Sequence, residues 1–215
     1  MTDMWVNHEN IARSSAEEEW HPLKPFLPEN AKVLFLGSFP PPRQRWCIDF
    51  YYPNFINDHW RIEGLVWFQD KDHFIDGKRF NLGRIVEFCQ QKGLAFHDTA
   101  TAVRRLKGNA SDKDLEILVP TDIQALISQL PQLRCIVTTG ERATQTICNE
   151  LGISEMPAVG EYITAPAALK AQADRRAEGL MIYRLPSSSR AYPLKLEKKA
   201  EAYGKMFRTV FGTEN

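Results

Sequence analysis

No stretch of this sequence approaches the roughly 18 consecutive apolar residues that a membrane-spanning helix requires, so a spanning helix is excluded. Cysteine is scarce and scattered. Cys47, Cys89, Cys135 and Cys148 form no CxxC pair, which removes zinc and iron–sulfur spacings and leaves free thiols in a reducing cytoplasm as the expected state. A surplus of one charge is also lacking: 27 Lys+Arg face 27 Asp+Glu. That balance argues against indiscriminate coating of a polyanion while leaving room for a local basic face. No glycine-rich loop with its Lys cradles a nucleotide, and no serine sits in a GxSxG elbow. The histidines (His8, His21, His59, His73, His97) lack metal-ligand spacing, so ordinary packing or surface roles are expected for them. No metal and no cofactor are implied. The N-terminus carries Glu9, Glu17, Glu18 and Glu19 where a signal peptide would need basic and then apolar residues.

The 215 residues are 43% hydrophobic, enough for a real core in one domain of ordinary size. Charge is unevenly placed. Residues 1–30 carry six acidic side chains (Asp3, Glu9, Glu17, Glu18, Glu19, Glu29) against Arg13 and Lys24. Residues 184–208 carry seven basic ones (Arg184, Arg190, Lys195, Lys198, Lys199, Lys205, Arg208) against Glu197 and Glu201. Such an asymmetry steers a polyanion to one end of a molecule, although a solvated helix face looks the same.

Apolar runs at Lys32–Gly37, Leu94–Phe96, Leu133–Val137 and Leu180–Leu185 read as buried strands. Helical spacing is found from an Asn57 cap to about Phe68, and over Asn81–Lys92, Thr121–Leu130, Glu141–Leu151 and Leu194–Phe211. Alternating strands and helices predict an α/β three-layer sandwich around a four-stranded, mostly parallel sheet. Residues 1–30 read as an N-terminal extension, with a short helix around Ile11–Glu19 and then a strap punctuated by Pro22, Pro25 and Pro28. Residues 31–215 read as the single domain. Residues 153–179 look loop-rich, with a helix expected over Ala167–Ala177 after Pro166.

In a parallel sheet the site lies outside the carboxyl ends of the strands, which directs attention to 38–57, 97–112, 138–142 and 186–192. Gly37-Ser38-Phe39-Pro40 permits close backbone approach on a loop stiffened by prolines. Phe50 to Trp60 mixes aromatics with Asn and Asp, which suits a planar, hydrogen-bonding ligand, or equally a folded aromatic cover on the sheet. Ser187-Ser188-Ser189 offers hydroxyls and backbone N–H groups to phosphate or base edges, or is an ordinary serine turn. Asp98, just past the second strand, reads either as a carboxylate at the site or as a helix cap.

Taken in order, Leu34-Phe35-Leu36-Gly37-Ser38-Phe39-Pro40, Tyr51 to Trp60, and Leu185-Pro186-Ser187-Ser188-Ser189 followed by Leu194 to Tyr203 resemble the motifs of the uracil-DNA glycosylase superfamily. The mismatch-specific uracil/thymine and hypoxanthine-DNA glycosylase branches are the most similar. Those branches show a GxxP-type loop, an aromatic–H-P-x-N-R-F-W stretch, and an L-P-[NS]-x-S motif before a basic helix. The resemblance spans roughly residues 32–211. It implies that Gly37, Ser38, Phe39 and Tyr52 surround an extruded base and that Asn57 orients the attacking water. Ser187 would stand beside the base and Asp98 near the sugar, while Ser188 and Ser189 hold phosphates and Arg190, Ala191 and Tyr192 enter the vacated stack. Five positions depart from the pattern: Phe39 stands where many relatives have Asp or Asn, Asn54-Phe55 for His-Pro, Asp58 for a basic residue, and Arg190 for a small residue or Pro.

The implied activity is base-excision repair by a monofunctional DNA glycosylase. It would flip a deaminated base, uracil or hypoxanthine, out of DNA and hydrolyse its N-glycosidic bond. No Lys lies in the first two motifs, so Schiff-base lyase chemistry is not expected. The partner would be DNA with a damaged or mismatched base, with no membrane, and the expected state is a monomer. A second reading is a catalytically weak or inactive DNA- or nucleobase-binding relative on the same fold; a third is a hydrolase of free nucleosides, which the basic stretch 184–208 disfavours.

Overall fold

The computed structural model describes residues 17–107, 114–165 and 179–212. Strand β2 (Val33–Gly37) shows why the middle of the molecule is layered. Its side chains alternate, and both faces are dry. Val33 and Phe35 enter one core while Leu34 and Leu36 enter another. The neighbouring strands β5 (Leu94–Asp98), β8 (Cys135–Thr139) and β10 (Met181–Leu185) divide their residues in the same way. The first core is closed by helices α1 (His59–Phe68), α2 (Leu82–Lys92) and α5 (Leu196–Phe211). The second is closed by α3 (Ile123–Ser128) and α4 (Glu141–Glu150). The three-layer α/β sandwich expected from the sequence is therefore present.

Sheet order is β5-β2-β8-β10-β9. The first four strands are parallel and correspond to the four apolar runs, while β9 (Tyr162–Thr164) pairs antiparallel with β10 at the edge. From β2 the chain first goes to one side, to β5, and then crosses to the other, to β8. The crevice outside the carboxyl ends of β2 and β8 is the topological switch point at which α/β sheets bind ligands.

Helix boundaries follow local chemistry. Asn81 caps α2 by accepting the Arg84 N–H at 3.1 Å, and Asp122 caps α3 by accepting the Ala125 N–H at 2.9 Å. Helix α1 begins at His59 with Asp58 in the cap position, and Asn57 Oδ1 accepts the His59 N–H at 2.9 Å.

Two expectations need correction. Glu18 and Glu19, placed at the end of a helix around Ile11–Glu19, belong instead to strand β1 (Glu18–Trp20); that helix up to residue 16 lies outside the described residues. Segment 97–112, expected as a loop, contains β6 (Ala100–Arg105), which pairs antiparallel with β1 and with β7 (Leu115–Pro120). Ala, Thr and Arg make a poor apolar run, so only the tertiary pairing identifies β6. Strand β9 likewise falls in the stretch read as loop-rich, and the helix expected over Ala167–Ala177 lies outside the described residues. After β1 the chain runs back across the domain, and Phe26 pairs with Phe96 on the free edge of β5 through N–H···O bonds of 3.0 and 2.9 Å.

Helix α2 stops at Gly93, whose φ of 66° is left-handed and whose absent side chain lets Asn30 O approach. Gly93→Ala should therefore destabilise by about 1–3 kcal/mol through strain and collision, read as a lower urea midpoint; an unchanged midpoint would contradict this packing.

Candidate active site

The segments flagged at the strand ends meet outside the carboxyl ends of the parallel strands. Gly37, the last residue of β2, lies beside Asp98, the last of β5, and a Cβ on Gly37 would collide with the Asp98 carboxylate. Asp98 caps no helix. Its Oδ2 is 2.9 Å from His21 Nε2, and its backbone oxygen accepts the Thr121 hydroxyl proton at 2.8 Å. His21 reaches this position from the strap, and its Nδ1 lies 2.8 Å from Leu23 O. Around the pair stand Phe39, edge-on to His21 at 5.4 Å, and His97, at 4.7 Å between ring centres. Burial, with His21 nearby, pushes the His97 imidazole down to about 4 despite the Asp98 carboxylate. Neutral His97 meets the Tyr51 hydroxyl at 2.9 Å, and that hydroxyl donates to Lys24 O at 3.0 Å. Burial first, and Asp98 second, raise the Tyr51 phenol well above its ordinary range.

Phe39 packs with Ile117 against a small cluster of Ala100, Val103 and Leu115, under the Arg105 guanidinium at 5.6 Å. Arg105 also donates to Pro40 O and to Glu19. The Gly37–Pro40 loop is thus fixed from behind by the second sheet. Ser38 is half-buried within it.

Tyr52 has φ of 50°, an uncommon left-handed backbone for an aromatic residue. Its hydroxyl is bonded to Thr139 Oγ1 at 2.9 Å across the crevice, and its ring stacks on His59 at 3.7 Å and 11°. His59 is fully buried, as is Glu63 one helical turn on. The two are 3.8 Å apart, too far for a hydrogen bond, and both His59 nitrogens lack a partner among the described residues. Burial drives the imidazole well below its usual range and lifts the Glu63 carboxyl to about 8, partly countered by the Trp67 indole N–H at 3.0 Å. Both groups are therefore neutral at pH 7, and an ion pair is the wrong description.

The serine turn is joined to the aromatic segment by Asp58. Its backbone N–H donates to Ser188 O at 3.0 Å. Its carboxylate accepts Arg190 Nε at 2.9 Å and the buried Lys199 ammonium at 3.2 Å. Lys199 also donates to Ser189 O at 2.8 Å. Ser188 is 2% exposed, so its hydroxyl faces inward, whereas Ser187 and Ser189 are half-buried and accept the N–H groups of Ser189 and Ala191. Arg190 and Ala191 are exposed and Tyr192 is partly so. Asn57 is half-buried, with Oδ1 engaged by the start of α1.

Sequence reasoning assigned no site role to His21, His97, Tyr51, Thr139 or Lys199, and read Asp58 only as a departure from the family pattern. His21-Pro22 in the strap carries no local signal of partnership with Asp98, 77 residues away. Lys199 looked like one charge in a basic run.

Glu63 gives a test of the site floor. Its carboxyl is raised in the fold relative to the unfolded chain, so stability falls as pH rises from about 4.5 to about 8 and then levels off. Glu63→Gln should flatten that decline in denaturant midpoints measured at pH 5 and pH 8; an equal decline in both proteins would assign it elsewhere.

No family model matches the sequence. No curated protein matches it either. Among solved structures, a solution NMR structure from Methanosarcina acetivorans, described as a "putative Uracil DNA glycosylase", superposes with a TM-score of 0.58 at 20% identity. The match covers 87% of this chain and 96% of that one. At that identity the likeness is one of architecture: the present chain has the fold of that glycosylase-described structure.

Proposed function

We propose that the protein is a monofunctional DNA glycosylase that hydrolyses the N-glycosidic bond of a deaminated base, uracil or hypoxanthine, flipped out of DNA. The observation that carries this reading is the joining of the aromatic segment to the serine turn through Asp58, beside the Gly37–Asp98 corner, at the switch point of such a fold. The chemistry asks little of the protein beyond placement. The C1′–N bond breaks with its electron pair passing to the base, water adds to C1′, and its proton must be accepted. Tyr52 and the Gly37–Phe39 loop would bound the base, with Ser187 beside it. Ser189, Arg190, Ala191 and Tyr192 would meet the backbone and the vacated stack, while the inward-facing Ser188 holds the turn in place by accepting the Asp58 N–H. Asn57 would orient water from the mouth of α1.

A second reading, a nucleobase- or DNA-binding protein with weak or absent catalysis, is favoured by two observations. Phe39 is an apolar plug in the loop where a water-orienting group would stand, and Asn57 Oδ1 already accepts a helix N–H. Cleavage of labelled oligonucleotides containing uracil, hypoxanthine, xanthine or a G·T mismatch, followed by alkali, separates the two. Scission at uracil or hypoxanthine supports the glycosylase. No scission at any base, with DNA binding that weakens steeply with salt, supports the binding protein. Asn57→Ala should lower cleavage roughly tenfold or more and cost about 1 kcal/mol of stability for the lost Oδ1 bond to the His59 N–H, whereas wild-type turnover would remove Asn57 from the mechanism.

A further inference from the structure

We propose that His21, delivered by the strap, is a positioning residue that holds the Asp98 carboxylate in its working orientation, so that the N-terminal segment completes the site. The inference rests on the glycosylase reading for the reaction served, but its structural content stands on the pair itself.

The strap is clamped on both sides of His21. Trp20 pairs with Ala102, the His21 N–H donates to Thr101 O at 2.8 Å, and Phe26 is bonded to Phe96. The ring is then fixed by chemistry. Nδ1 faces both Leu23 O at 2.8 Å and the Leu23 N–H at 3.2 Å. An ionised carboxylate can only accept, so opposite Asp98 the hydrogen must be on Nε2: the ring is the neutral Nε2–H tautomer if Nδ1 accepts from the Leu23 N–H, and is protonated on both nitrogens if Nδ1 donates to Leu23 O. In either state Nε2 bears hydrogen and donates to Asp98 Oδ2. The groups facing His21 are that carboxylate, neutral His97, the Tyr51 ring stacked at 6.1 Å and Phe39, with Arg105 beyond Phe39.

A purely structural role fits this arrangement poorly. The side chains are 4% and 11% exposed, and desolvating a carboxylate–imidazole pair costs as much as or more than its attraction returns, so apolar residues would fill the space at no loss. What the pair provides is direction. With Oδ2 held by His21, Oδ1 is turned to Gly37 at the carboxyl end of β2, and carries no hydrogen bond among the described residues. A water adding to C1′ would release its proton to that oxygen as the C1′–N electron pair leaves with the base. Phe39 and the engaged Asn57 leave a vacancy for such an acceptor.

The test uses the full chain with His21→Leu, His21→Gln, Asp98→Asn and the His21→Leu/Asp98→Asn double variant, each checked for folding by its urea midpoint. In single-turnover base release across pH, His21→Leu should lose roughly tenfold to a hundredfold, as expected for a misplaced group. The double variant should be no slower than Asp98→Asn alone, and His21→Gln, which keeps an N–H donor, should recover most of the rate. Wild-type release by His21→Leu, or multiplied losses in the double variant, would overturn the proposal. Imidazole ¹⁵N spectra with a duplex containing a tetrahydrofuran abasic analogue give an arm independent of turnover. The His21 Nε2–H signal should shift with Asp98→Asn and again when the duplex is added; a signal indifferent to either would overturn the proposal. If the wild type releases none of the bases, the glycosylase reading fails and the spectra alone decide the role of His21.

Discussion

Lys199 cannot be buried alone, and the answer to that constraint organises the face of the molecule. An ammonium 1% exposed has to be matched by a carboxylate and by hydrogen bonds, or its desolvation would exceed what local packing returns. Asp58 supplies the carboxylate and Ser189 the carbonyl. Because Asp58 also starts α1, and holds Arg190 from 132 residues away in sequence, the requirement of one buried charge draws the aromatic segment and the serine turn into a single surface. Asp58 and Arg190, two of the positions that differ from the motifs the sequence resembles, are thus ion-pair partners in the fold.

Under that surface the structure is apolar and neutral. Phe35, Phe96, Trp60 and Tyr203 surround His59, which carries no charge because burial forbids it. Tyr52 rests on this ring with its backbone in a left-handed conformation that stacking and the Thr139 bond hold in place. A stiff, uncharged floor and a polar rim at the strand ends divide the labour as a site for a planar ligand requires.

The four parallel strands and the five described α-helices were legible because each is specified by its own residues: short apolar runs for β2, β5, β8 and β10, and helical spacing with signals such as the Asn81 cap and the terminal Gly93 for the helices. The second sheet was not, because Ala100–Arg105 has no apolar pattern of its own and becomes a strand only between β1 and β7. For the site, the segments could be found from the rule that parallel sheets bind at their carboxyl ends, but the partnerships within them could not. The inward turn of Ser188, the engagement of Asn57 Oδ1 and the meeting of His21 with Asp98 are long-range or sub-residue facts that spacing does not encode.

The pairing of Phe26 with Phe96 has a consequence for how this protein behaves among its own copies. A parallel sheet is most vulnerable to chain-to-chain addition at an outer strand with unsatisfied backbone groups, and β5, buried along its length and apolar over Leu94–Phe96, would be an inviting template. The strap occupies that strand's outward N–H and C=O at Phe96, and at the opposite margin β9 is only three residues long, too short to template much pairing. Both margins are therefore poor seeds for intermolecular sheet growth, and the segment that brings His21 to the crevice also guards the molecule against aggregation.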